Sequence, residues 1–151
     1  MKVYLGADHR GYKLKNQLKA WLVENGYQVE DCGPKEYIEG DDFVGYAVSV
    51  AQSVVQNAGD RGVVICGSGA GAEIAANKIK KVRCSLGQSI EQIIKARDAD
   101  NINILAIAGE FTDLEKAKAF VKTFLETAYN AIDRHQRRIN QIEDIEDKNY
   151  A

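Results

Sequence analysis

The sequence predicts an α/β fold in which a parallel sheet is covered by helices on both faces. Short apolar runs alternate with longer segments of helical periodicity, the pattern of successive βαβ units. The runs at 3–7, 61–66 and 102–108 are apolar at most positions, as strands buried on both faces are. No repeat or low-complexity tract divides the 151 residues, so one domain over 1–151 is expected.

Taken in order, 3–7 is a first strand ending in Asp8-His9-Arg10-Gly11. The segment 12–25 carries Leu14, Leu18, Trp21 and Leu22 at helical spacing, with Gly26 as its C′ residue. A short strand at 27–31 leads into a polar loop, 32–42, which holds the only proline, Pro34, and an acidic cluster. Residues 43–57 form a helix that is apolar nearly all round and hence well buried. Strand 61–66, helix 70–80, strand 82–86 and helix 89–98 follow, the last with Ile90, Ile93 and Ile94 inward. After the fifth strand, Thr112 and Glu115 make a capping box that opens a helix to about residue 128. A final amphipathic helix over 133–147 carries Ile139, Ile142 and Ile145.

Composition narrows the function. A net charge of −2 leaves no electrostatic footprint for nucleic acid or an anionic membrane surface. No apolar run approaches the ~20 residues that span a bilayer. The start, Met1-Lys2-Val3-Tyr4-Leu5, enters a strand pattern directly, so no signal peptide is expected. Three scattered cysteines, Cys32, Cys66 and Cys84, suit a reducing cytoplasm better than a disulfide framework. None has a second Cys or a His at metal-ligand spacing, so no metal is expected.

The chemistry concentrates at Val63-Val64-Ile65-Cys66-Gly67-Ser68-Gly69-Ala70-Gly71. A thiol at the carboxyl end of a strand meets a loop of bare amides and then a helix N-terminus. Glycines let backbone approach a ligand, and the helix start favours negative charge. Those dipoles would lower a thiol pKa, although a lone cysteine is more often a small core residue. The loop matches G-x-G-x-x-A at 67–72, but no acidic residue follows the next strand to hold a ribose. The run at 6–11 superficially resembles a P-loop, but Tyr12-Lys13 replaces the required Lys-Ser/Thr pair, which leaves a nucleotide-binding module the least favoured reading. Ligands of such sheets sit at the carboxyl ends of strands, where Asp8, His9 and Cys66 can meet. Arg134 and Arg138 share one face of the last helix, either as a solvated basic face or as a phosphate clamp.

Together these residues resemble the ribose-5-phosphate isomerase B and galactose-6-phosphate isomerase family. The resemblance rests on G-A-D-H-x-G at 6–11, I-C-G-S-G-A-G with A-A-N-K at 65–78, and R-H-Q-R-R at 134–138. It implies a Rossmann-like three-layer αβα sandwich with a five-stranded parallel sheet and a C-terminal helix. It also implies a cytoplasmic, cofactor-free and metal-free aldose–ketose isomerase of sugar phosphates in carbohydrate metabolism, within the pentose phosphate pathway. The implied assembly is a homodimer or homotetramer with sites built from two subunits. Carried over by position, Cys66 is the base that moves a proton between C2 and C1 through a cis-enediolate. The amides of Gly67, Ser68, Gly69, Ala70 and Gly71, with the Ser68 hydroxyl, stabilise the oxyanion. Asp8, His9 and Asp100 hold the sugar, and Arg134 and Arg138 grip its phosphate.

Three positions depart from the family pattern. The ring-opening histidine of R-x-H-N-D-x-N is matched by Ala99, within Arg97-Asp98-Ala99-Asp100-Asn101-Ile102-Asn103. The phosphate-binding arginine after the fifth strand is matched by Glu110, and the Asp-Tyr-Pro before the second helix by Asp42-Phe43-Val44. Ring opening would then fall to Asp98, Asp100, His9 or His135. Glu110 would pair with Arg134 or Arg138, or favour a sugar lacking phosphate there. The leading expectation is a ribose-5-phosphate isomerase. The alternative is a non-catalytic sugar-phosphate-binding subunit, or one that depends on a paralogous partner.

Overall fold

The structure is a computed structural model that describes residues 1–150. In chain order it comprises β1 (Lys2–Ala7), α1 (Tyr12–Glu24), β2 (Gln28–Asp31), α2 (Phe43–Gln56), β3 (Arg61–Cys66) and α3 (Ala70–Ala76). There follow β4 (Cys84–Leu86), α4 (Ile90–Asp100), β5 (Ile104–Ala108), α5 (Leu114–Glu126) and α6 (Asp133–Asn149). The five strands form one parallel sheet in the order β2-β1-β3-β5-β4.

Alternation along β3 divides the core. Val63 and Ile65 join Leu14, Leu18, Leu22, Ile93, Phe120 and Phe124 from α1, α4 and α5 on one face. Val64 and Cys66 join Ala47, Val50, Ala72 and Ala76 from α2 and α3 on the other. This is the expected three-layer αβα arrangement. The chain leaves β1 in one direction, to β2, and resumes at β3 on the other side of β1. The strand order therefore switches between β1 and β3, which opens a crevice beyond their carboxyl ends.

Several elements differ from the sequence reading. Helix α3 stops at Ala76, because the Asn77 amide side chain bridges to the Cys84 backbone on both its N–H and its C=O. Strand β4 starts only at Cys84, since the Arg83 amide donates to the Asn103 side chain rather than to a neighbouring strand. Asp113, not Thr112, caps α5: its carboxylate accepts the Lys116 amide, while Glu115 pairs with Lys118. Helix α2 buries one face only, with Val44 left exposed. Ile94, Ile142 and Ile145 also point outward, whereas Ile93 and Ile139 are buried. Gly26 does follow α1 in the left-handed conformation, at φ 83°.

Candidate active site

The crevice is a hollow of about 540 Å³ above β1 and β3. Asp8 and His9 enter it from the β1–α1 turn, and Cys66, Gly67 and Ser68 from the end of β3. Gly71 on α3, Asp41 and Phe43 before and at the start of α2, and Glu110 after β5 complete the wall. Cys66 is only 3% exposed, yet it forms part of this wall on the α2/α3 side of the sheet. Its carbonyl accepts the Gly109 amide and that of Gly67 the Glu110 amide, which fixes the β3 end against the β5 end.

Steric limits explain the glycines. A Cβ on Gly69, whose φ is 77°, would sit 2.4 Å from Leu86 Cδ1 and 3.0 Å from the Ala108 amide nitrogen. A Cβ on Gly71 would lie 2.5 Å from the Phe43 ring. The loop therefore lies flat against β5 and α2. The Ala70 amide donates to Ser68 Oγ at 3.3 Å, and the amides of Ser68, Gly69 and Gly71 meet no protein acceptor among the described residues. Free donors of this kind suit a developing oxyanion.

Asp8 lines the crevice and also closes the turn that carries it. It is buried, and its Oδ1 accepts the amides of Arg10 and Gly11, closing the turn into α1. His9 is held by Asp41, whose Oδ1 accepts the His9 amide at 2.6 Å and lies 3.2 Å from Nδ1. Above Gly67, Glu110 forms an ion pair with Arg10.

The crevice unites Asp8, His9, Cys66, Gly67, Ser68 and Gly71. Gly69, which is buried, and Ala70, which is exposed, do not line it. Within one chain, Asp100, Arg134 and Arg138 lie away from this crevice. Asp100 ends α4 before the amino end of β5, while Cys66 pairs with Ala108 at its carboxyl end. Four residues of strand, ~13 Å, separate the two levels. Helix α6 follows a linker whose Asn130 amide donates to the Asp98 carbonyl, and its Glu146 accepts the Lys81 amide, so it runs beside α4. Arg134 and Arg138 are exposed and have no carboxylate partner among the described residues. Glu110 thus pairs with neither of them. His135 is buried, its Nδ1 against the Asn130 carbonyl.

Sequence reasoning missed the Asp41–His9 and Arg10–Glu110 contacts. The acidic cluster of the 32–42 loop was the visible signal for the first; nothing local announced the second. Arg97, part of the departing run, is structural: it donates to the carbonyls of Ile102 and Thr127 and to Asn101 Oδ1. Desolvation chiefly, then repulsion from Arg61 and Arg83, brings its pKa to about 10. A second hollow of about 470 Å³ lies at this amino end of the sheet, beside Arg61 and Arg83. There the Arg83 Nε donates to the Asp100 and Asn101 carbonyls at the α4 C-terminus. Among the described residues no cluster of three metal-ligating side chains occurs, and no helix is long and apolar enough to cross a membrane.

Fold and site define an α/β protein with a thiol and an amide loop at the switch point of its sheet. The family model for Ribose/Galactose Isomerase matches residues 3–142, and the chain belongs to that family. Ribose-5-phosphate isomerase B of Mycobacterium tuberculosis is 38% identical over 146 residues, covering 97% of this chain and 90% of the relative. The Escherichia coli protein of the same name is 36% identical over 147 residues, with 97% of each chain covered. The crystal structure of Mycoplasma genitalium ribose-5-phosphate isomerase B with bound ribulose 5-phosphate superimposes with a TM-score of 0.92 at 34% identity, covering 97% of this chain and 96% of that one. The Clostridium thermocellum enzyme superimposes at 0.94 and 35% identity over the whole of both chains.

Proposed function

We propose that the protein is an aldose–ketose isomerase of sugar phosphates that interconverts ribose 5-phosphate and ribulose 5-phosphate. One observation carries the reading: Cys66 forms part of a solvent-reachable crevice beside a loop of unengaged amides. A thiolate there takes the proton from C2 of the open-chain aldose. The resulting cis-enediolate places negative charge on oxygen, and the amides beside Ser68 receive it. One free donor of this kind is commonly worth ~3 kcal/mol. The O2 hydroxyl proton passes to O1, the carbon-bound proton returns at C1, and the ketose results. No redox partner is consumed, because the carbonyl and the hydroxyl exchange places within one molecule.

The phosphate grip comes from a second copy of the chain. The crevice lacks an arginine pair, and α6 carries Arg134 and Arg138 exposed and unpaired. Exposed apolar residues on both surfaces, Phe111 and Ile74 near the crevice and Ile142 and Ile145 on α6, support such docking. A homodimer or homotetramer working in the cytoplasm, within pentose phosphate metabolism, fits this reading. Phosphate held far from the reacting carbons supplies binding energy for orienting them.

The experiment is an isomerisation assay on a panel of pentose and hexose phosphates, followed by sedimentation of the active species. Turnover of ribose 5-phosphate by an oligomer is expected. Binding without turnover on every sugar would instead support the non-catalytic reading.

A further inference from the structure

We propose that the hollow at the amino end of the sheet is a second ligand site, which takes the phosphate group of a small metabolite. It lies at the opposite end of β3 from Cys66, five strand steps or ~17 Å away. Its occupation is therefore independent of what the crevice catalyses.

Three cations line this hollow of about 470 Å³: Arg61 at the start of β3, and Lys81 and Arg83 just before β4. One asparagine gathers them. The Arg83 amide donates to Asn103 Oδ1 at 2.8 Å, and Asn103 Nδ2 donates to the Lys81 carbonyl at 2.9 Å. The Asn103 carbonyl accepts the amide of Gly62, the residue after Arg61, at 3.0 Å. None of the three cations forms an ion pair among the described residues.

The guanidiniums are only partly engaged. Arg61 donates from Nη1 to the Asp60 carbonyl at 2.9 Å, while its Nε is buried with no acceptor among the described residues. Arg83 donates from Nε to the Asp100 and Asn101 carbonyls, which offsets part of its charge at the α4 C-terminus. Neither Nη2 meets a protein acceptor among the described residues. The Arg61 guanidinium lies below its ordinary value, first through desolvation and then through repulsion from Arg83, so the two charges oppose each other. Two carboxylates share the wall. Asp60 is engaged at both oxygens, by the Lys2 amide and the Tyr4 hydroxyl, and Glu143, exposed on α6, faces Arg83 without pairing. A phosphate dianion supplies the missing charge and the acceptors, and the planar fork of a guanidinium matches its oxygens two at a time. The hollow is of the size that holds small organic ligands. Val55 and Ala58 in its wall suit the organic part of an ester.

Backbone strain points the same way. Lys81 and Asn101 are the two non-glycine residues with positive φ among those described, at 70° and 48°, and both line this hollow. Asn101 caps α4 in a conformation asparagine tolerates. Lysine does not favour it, and strain of this kind gathers at ligand clamps.

Calorimetric titration of the full chain with inorganic phosphate and with phenyl phosphate, against chloride at equal ionic strength, tests the site. Arg61→Gln and Lys81→Glu should each weaken binding here by ~10–100-fold, the worth of a hydrogen bond or contact to a charged group. Arg134→Ala/Arg138→Ala should leave it unchanged. The Lys81 side chain is exposed and makes no hydrogen bond among the described residues, so Lys81→Glu keeps the test available if Arg61→Gln fails to fold. Phenyl phosphate binding more tightly than inorganic phosphate supports the site as one for an ester. Wild-type protein that binds neither probe overturns the proposal. So does binding that Arg134→Ala/Arg138→Ala abolishes and Lys81→Glu leaves intact, which puts the phosphate in the crevice instead.

Discussion

Gly69→Ala tests whether the catalytic loop is pinned as the structure shows. The substitution forces an L-residue into the left-handed region at φ 77°, which costs about 1–2 kcal/mol. The new methyl also meets Leu86 Cδ1 at 2.4 Å and the Ala108 amide nitrogen at 3.0 Å. Leu86 can shift, but the β5 backbone cannot, and overpacking of this kind costs about 1–3 kcal/mol more. The sum is about 2–5 kcal/mol, a fall in Tm of about 5–20 °C for a chain of this size. Gly26→Ala is the matched control: its φ is 83° and a Cβ there meets nothing within 4 Å, so only the backbone cost applies. Urea unfolding of both variants at one protein concentration isolates the steric part as their difference. If Gly69→Ala is no less stable than Gly26→Ala, the loop is not seated against β5.

Further outcomes follow from the charges. Lys15 is fully buried, and its Nζ lies 2.7 Å from both Asp31 Oδ1 and the Pro34 carbonyl. Lys15→Met should destabilise the fold by about 3–5 kcal/mol in denaturant titration, since it strands a buried acceptor and part of a buried charge. The Asp31 carboxyl lies below its ordinary value: burial, the largest single influence, raises it, but hydrogen bonds from Lys15, the Gly33 amide and Lys19 together outweigh burial. Its contribution to stability is thus complete above the ordinary pKa of about 3.9 and is lost as pH falls through the lower folded value. Acid unfolding curves of Lys15→Met should be flatter than those of the wild type in that range. At the crevice, Glu110→Arg alone sets two guanidiniums together over Gly67, whereas Glu110→Arg with Arg10→Ala does not. The double variant should turn over ribose 5-phosphate faster than the single one, and equal rates would contradict the observed pairing. If sites are shared between copies, mixing inactive Cys66→Ala with inactive Arg134→Ala/Arg138→Ala subunits should restore part of the activity, detectable in a coupled assay.

Local pattern was enough for the sheet and its layers, because strands buried on both faces leave unbroken apolar runs such as Val63-Val64-Ile65. Glycine spacing likewise announced the loop, since the tight approaches at Gly69 and Gly71 tolerate no side chain. Element ends were less legible. Asn77 and Asn103 end α3 and delay β4 through side-chain hydrogen bonds to backbone seven and twenty residues away. Lys15 lies beneath the β2 end, where Asp31 and Pro34 supply its partners, a burial that no local pattern marks. The His9–Asp41 and Arg10–Glu110 pairs join residues 32 and 100 positions apart, a relation that periodicity cannot carry. Arg134 and Arg138 were visible as a pair on one helix face, but their distance from Cys66 emerges only once the chain is folded.

The central claim is that sulfur at residue 66 removes the proton from the carbon beside the carbonyl. Cys66→Ala, checked by circular dichroism for an unchanged fold, should lose ~10²–10⁴-fold in conversion of ribose 5-phosphate to ribulose 5-phosphate. A folded Cys66→Ala protein that isomerises at the wild-type rate would contradict it.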